Sequence, residues 1–166
     1  MQFKTNFTPP TLNPTIEHKS KVLLIGSCFT EHMSKRMEVA KMHVLQNPSG
    51  ILFNPISVAH CLQDIIDNKQ YTASEMIEIN ESFQNWHIHS KLGSPKLHEA
   101  LQNINKPIHE AHVFVQTADW VIITLGSAFA YWHLQEQIFV SNNHRAPMQQ
   151  FEKQLLTVEQ ITQALQ

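Results

Sequence analysis

Three short segments set small or nucleophilic residues in glycine-containing turns: Gly26-Ser27-Cys28-Phe29, Asn47-Pro48-Ser49-Gly50 and Gly126-Ser127-Ala128-Phe129. A nucleophile in a tight turn that opens a helix meets unpaired N–H groups and the positive end of the helix dipole, which favour an anion. Cys28 is therefore a candidate nucleophile, with Ser27 as the second candidate. A structural reading stays open beside this one, with Cys28 as a small buried hydrophobe and Ser27 as an ordinary N-cap. The eleven histidines supply another possible chemistry. His87 and His89 lie two apart and would share one face of a strand, a spacing compatible with metal binding, and His98 or His144 would complete a three-ligand site. A partly exposed polar face explains the same pair more simply.

The elements that position these segments read as an α/β pattern. Lys21 to Ile25 is a continuous apolar run, as in a strand buried on both faces, and it ends at Gly26. A helical pattern follows from near Thr30, with Met33, Met37 and Ala40 on one face. His43 to Gln46 reads as a second strand. Asn54-Pro55 caps a helix to Asp67, with Val58, Leu62, Ile65 and Ile66 inward. From Tyr71 to Leu92 the pattern is mixed, with a hairpin whose second arm is Phe83 to Ser90. Pro95 to Ala118 reads as a helix interrupted at Pro107. Trp120 to Leu125 is a second buried strand that ends at Gly126. Phe129 to Leu134 and Gln137 to Ser141 form a small hairpin. Thr157 and Gln160 make a capping box for a helix to Gln166. Residues 1 to about 20, with Pro9, Pro10 and Pro14, read as an extended arm.

Strands alternating with helices imply a parallel sheet covered on both faces, and such sheets bind ligands outside the carboxyl ends of their strands. The chain has four glycines, whereas average usage predicts roughly a dozen. Gly26, Gly50 and Gly126 fall at those strand ends, and Gly93 reads as an ordinary turn before Pro95.

The composition narrows the function classes. The 166 residues are 42% hydrophobic and 16% charged, with a formal net charge of −2, which suits one domain over 1–166. That balance gives no electrostatic reason to expect nucleic acid or an anionic membrane surface as a partner. No apolar stretch in Met1 to Pro10 resembles a signal core, and no run is long enough to span a bilayer. Cys28 and Cys61 make no disulfide framework. The expectation is a cytoplasmic protein without a bound metal or other cofactor.

Five segments in order carry a resemblance. Ile25-Gly-Ser-Cys-Phe-Thr30 resembles the motif that names the GSCFA family. Asn47-Pro-Ser-Gly-Ile-Leu-Phe-Asn-Pro55 is similar to its N-P-x-G-I-x-x-N-P segment. Trp86-His-Ile-His-Ser-Lys91 is similar to its H-H-S-[RK] segment, with Ile88 in place of the first histidine. Thr124-Leu-Gly-Ser-Ala-Phe-Ala-Tyr131 resembles T-x-G-[ST]-A-[WF]-x-Y. Val140-Ser-Asn-Asn-His-Arg-Ala-Pro147 resembles V-x-N-C-H-K-x-P, with Asn143 replacing the cysteine.

The family is grouped with the SGNH, or GDSL-like, hydrolases, so the resemblance implies a three-layer α/β/α, flavodoxin-like fold and an esterase or acyl hydrolase. Laid on G-D-S-L without gaps, Gly26-Ser27-Cys28-Phe29 puts Cys28 at the nucleophile, and a shift of one puts Ser27 there. The resemblance further implies an oxyanion hole at Gly50 and Gly126. Ala128 stands where those enzymes carry an asparagine donor, whose removal typically costs about 10²–10³ in turnover. Asn142 or His89 could supply the missing donor. His89, Ser90, Asn142 and His144 are the substrate-binding residues it implies, with His144 a possible local base.

The expected substrate is an ester, with an acylated carbohydrate as the leading class; a non-catalytic binding module on the same fold is the alternative. The Asp/His block that activates the nucleophile in SGNH enzymes, and the family's S-P-[VI]-R-H segment, have no counterpart in these 166 residues. Three core strands are read where doubly wound sheets carry about five. The 166 residues are therefore expected to be the N-terminal part of a longer fold and inactive by themselves.

Overall fold

A computed structural model describes residues 7, 8 and 10–166. Residues 1–6 and 9 of the expected arm lie outside the described residues; the remainder, to residue 20, contains neither helix nor strand. The first α/β unit is β1 (Lys21–Gly26), α1 (Cys28–Val39), β2 (His43–Gln46) and α2 (Pro55–Asp67). A short hairpin, β3 (Ile77–Ile79) and β4 (Ser82–Gln84), precedes α3 (Leu97–Val115) and β5 (Trp120–Thr124). The chain continues through β6 (Phe129–His133), β7 (Ile138–Val140), β8 (Phe151–Leu155) and α4 (Val158–Ala164).

The main sheet has the order β2-β1-β5 and is wholly parallel, which establishes the α/β class. β1 lies in the middle, and Val22, Leu23, Leu24 and Ile25 are all buried. Leu23 and Ile25 face α2 and α3, packing with Val58, Cys61, Ile65 and Ala111. Strand alternation turns Val22 and Leu24 to the other face, where α1 crosses β1 and β2. A second, antiparallel sheet, β7-β6-β8, packs Val140, Ala146 and Phe151 against Trp86 and Ile79 of the hairpin region. No helix among the described residues is long and apolar enough to cross a membrane.

Several expectations need correction. β5 is an edge strand, so Val121 and Ile123 are 43% and 38% exposed although their run reads as fully buried. α1 starts at Cys28 and buries Thr30 and Ser34, with Ala40 outside it and exposed. On α2 Val58 and Ile65 are buried and Leu62 packs against the same core as expected, Cys61 joins them, and Ile66 is 62% exposed. α3 runs unbroken through Pro107. A mid-helix proline costs about 3 kcal/mol, but Ile104 and Ile108 on the same helix are fully buried, at roughly 1.5–3 kcal/mol each. The hairpin arm expected over Phe83 to Ser90 is only β4, and 85–88 is a turn.

Candidate active site

β1 runs straight into α1, so the central strand delivers Ser27 and Cys28 to the carboxyl edge of the sheet. Ser27 is the N-cap, and its Oγ accepts from the Phe29 N–H at 3.4 Å and lies 3.3 Å from Thr124 Oγ1. Its own N–H donates to Thr124 O at 3.3 Å, which ties the turn to β5. Cys28 occupies the first helical position and is exposed. A first-turn N–H has no acceptor within its helix, so the Cys28 N–H is left for a ligand at that end.

Asn47 holds the turn in place. Its Oδ1 accepts from the Gly26 N–H at 2.9 Å, its Nδ2 donates to Thr30 Oγ1 at 2.8 Å, and its own N–H donates to Leu24 O at 2.9 Å. One buried side chain thus fastens the ends of β1 and β2 to the first turn of α1. Sequence reading placed Asn47 in a turn and missed this role, because its partners are 17 and 21 residues away.

The 47–54 loop then folds across the site. Gly50 has φ +81, and a Cβ there would lie 2.3 Å from the Cβ of His89, so only glycine lets the 89–91 segment sit this close. His89 donates its N–H to Ser49 O at 2.9 Å, and Lys91 pairs with Glu31 of α1 at 2.7 Å. The Lys91 N–H donates to His89 Nδ1 at 3.2 Å. An amide N–H can only donate, so Nδ1 carries the lone pair and, in the neutral ring, Nε2 carries the proton. Burial, reinforced by Lys91, holds the His89 pKa below the usual value, which favours that neutral donor form.

The structure brings Ser27, Cys28, Gly50, His89 and Gly126 to one edge of the sheet. A Cβ on Gly126 would lie 3.5 Å from that of Ser27. The two glycine N–H groups, however, donate inside the protein. Gly50 N–H reaches Asn47 O at 2.8 Å, and Gly126 and Ser127 N–H both reach Phe53 O at 2.9 Å. Among the described residues at this edge, the Cys28 N–H and the His89 Nε2–H have no hydrogen-bond partner within the protein.

Ser90, Asn142 and His144 line a neighbouring cleft of about 380 Å³. His144 is buried, and its Nε2 lies 2.8 Å from Asn85 O, an acceptor, so Nε2 bears the proton and Nδ1 the lone pair. Nδ1 is buried without a partner, and burial lowers the ring's pKa.

His87 lies away from His89. It sits in the 85–88 turn and stacks on His60 of α2, with ring centroids 3.9 Å apart and planes 9° from parallel. His60 Nδ1 faces buried Asp64 at 3.3 Å, and Asp64 also accepts from the Tyr71 O–H at 2.8 Å. The i,i+4 spacing of His60 and Asp64 on α2 was the signal available for this cluster. Among the described residues no three His, Cys, Asp or Glu side chains are placed to share a metal ion.

Burial and the adjacent His60 push the His87 pKa down to about 4. In the unfolded chain it returns to about 6.5. Between those values the unfolded state binds the extra proton, so stability falls as pH drops from about 6.5 to 4 and the loss levels off below 4. His89 and His144 act in the same direction. We expect His87 alone to account for roughly 2–3 kcal/mol of acid destabilisation. Urea unfolding at pH 7 and pH 4.5 checks this: in His87→Gln the difference between the two pH values should shrink by that amount. An unchanged difference would contradict it.

Among curated proteins and solved structures, no match to this chain is found. The GSCFA family model matches residues 21–166, which span every element from β1 to α4. The chain therefore belongs to the GSCFA family.

Proposed function

We propose that this edge of the sheet is the centre of an ester-cleaving acyl hydrolase with Cys28 as its nucleophile. The placement of Cys28 carries the reading: it is the exposed residue at the first helical position of α1, directly after the central strand. Ser27 is the weaker candidate, because its Oγ caps the helix and packs beside Thr124. The Cys28 thiolate attacks the ester carbonyl, and the oxyanion forms beside the Cys28 N–H and the His89 Nε2–H. Collapse expels the alcohol and leaves a thioester on Cys28, which water then cleaves. Gly50 and Gly126 contribute by letting His89 and Phe53 close on the turn rather than by their own N–H groups. Ser90, Asn142 and His144 bind the alcohol portion, for which an acylated carbohydrate is the leading class.

Turnover of p-nitrophenyl acetate, an activated ester whose leaving group departs without a general acid, tests the assignment even where an unactivated ester is left uncleaved. Cys28→Ala should lower the rate by about 10³-fold or more, as loss of a nucleophile does. Ser27→Ala should stay within about tenfold and lose about 1 kcal/mol of stability as a missing cap. An unchanged rate in Cys28→Ala would refute the nucleophile. The engaged Gly50 and Gly126 N–H groups, together with Ala128, favour a second reading, a module that binds such a ligand and releases it unhydrolysed.

A further inference from the structure

The cleft beside the site has a chemical character of its own. Its walls include Asn80, Ser82, Ser90, Asn142, His144 and Arg145, and no carboxylate lines it. The hydrogen bonds already made inside the protein decide what remains for a ligand. Asn142 uses its Oδ1 to accept the His144 N–H at 2.8 Å, which leaves its amide N–H₂ without a partner in the protein. Ser82 Oγ accepts from Gln84 Nε2 at 2.9 Å, so its hydroxyl is left to donate. Asn80 donates to His144 O at 3.3 Å and keeps an open acceptor. Arg145 is exposed and forms no ion pair among the described residues, which leaves its whole guanidinium fork available.

The cleft thus offers donors from Arg145, Asn142 and Ser82 and acceptors from Asn80, Gln84 and His144 Nδ1, and its one formal charge is the positive charge of Arg145. His144 and Arg145 also hold φ values of 50 and 61 in succession. Left-handed backbone at a non-glycine residue costs about 1–2 kcal/mol, and the fold holds two such residues together where they present Arg145 to the cleft. The volume, about 380 Å³, falls at the lower end of the range for small-molecule sites.

We propose that this cleft binds a carboxylate-bearing sugar, a uronic acid residue, with Arg145 clamping the carboxylate and Asn142, Ser82, Ser90 and Asn80 reading the ring hydroxyls. A planar guanidinium matches a carboxylate through two parallel hydrogen bonds, which an ammonium cannot reproduce. As a subsite the proposal rests on the acyl-hydrolase reading, and it narrows the alcohol portion of that substrate to an anionic saccharide.

Binding is measured on Cys28→Ala protein by calorimetry or ligand-detected NMR, with D-glucuronate, D-glucose and acetate as probes. D-Glucuronate should bind at least tenfold more tightly than either of the others. Arg145→Gln should remove that preference, and Arg145→Lys should restore only part of it, because the charge returns without the fork. Both variants change an exposed side chain, and a thermal melt confirms that they fold. Equal binding of glucose and glucuronate, or an unaffected Arg145→Gln, overturns the assignment. Acetate binding as tightly as glucuronate overturns the saccharide part. The Cys28→Ala background keeps hydrolysis out of the measurement, and p-nitrophenyl acetate carries no sugar, so either proposal can fail while the other stands.

Discussion

Gly26→Ala should abolish cooperative folding. Gly26 has φ +140, a conformation closed to residues with a Cβ, and an added Cβ would sit 2.1 Å from the carbonyl oxygen of Thr124. That oxygen belongs to the backbone of β5, paired with β1 at this level, and it accepts the Ser27 N–H. Relief requires β1 and β5 to part, which would break the central sheet and the turn that carries Cys28. The penalty exceeds the ~4–5 kcal/mol at which single substitutions become exceptional, and that is a large share of a small domain's total stability. Far-UV circular dichroism through a thermal melt checks it. A sigmoidal transition within a few degrees of the parent protein would show that the turn tolerates a side chain.

Asn47→Ala should cost about 3–5 kcal/mol. The substitution removes both side-chain hydrogen bonds and leaves the Gly26 N–H unpaired in a buried position, while the Thr30 hydroxyl loses one donor and still donates to Ser27 O. The unpaired N–H costs about 1–3 kcal/mol and the second lost bond about 0.5–1.5 kcal/mol. Asn47 also holds φ 41, where alanine adds strain that asparagine tolerates better. Two further variants separate these contributions. Asn47→Gly relieves the strain and still loses both bonds, so it should fall between the parent and Asn47→Ala. Asn47→Asp keeps the acceptor for the Gly26 N–H and loses only the donor. Urea unfolding of the three proteins gives the ranking; equal stability of Asn47→Ala and the parent would show that Asn47 does not fasten the turn.

The parts of the fold that were legible in sequence are those fixed by neighbouring residues. Asn54 and Pro55 mark the start of α2 because an asparagine cap and a proline at the first helical position both act within one turn. Thr157 and Gln160 mark the start of α4 for the same reason. The apolar run of β1 reads as a strand covered on both sides, and it is one. β5 carries a similar run, yet whether a strand is central or at an edge depends on what lies beside it in space. β8 was missed because Phe151 is its one buried residue, and Glu152, Lys153 and Leu155 are exposed, too weak an alternation to register. The expected break at Pro107 failed because burial on one face of α3 outweighs a single lost helical bond.

The candidate site divides along the same line. Glycine scarcity pointed to the turns at Gly26, Gly50 and Gly126, because a position that must lack a Cβ is visible as a residue type. The state of their N–H groups was not visible. Whether an amide is free depends on Asn47 O and Phe53 O, acceptors that only the folded loop brings within reach. His87 and His89 looked like a pair because a strand would have put them on one face, and the 85–88 turn sends them to different neighbours.

The central claim is that Cys28 forms the covalent bond to the acyl group. The most direct test is to mix the protein with p-nitrophenyl acetate, quench in acid within the first turnover, and map the acetylated peptide by mass spectrometry. The account predicts a burst of nitrophenolate and one acetyl group on Cys28, with Ser27 unmodified. An acetyl group on Ser27, or steady hydrolysis that leaves Cys28 free throughout, would contradict it.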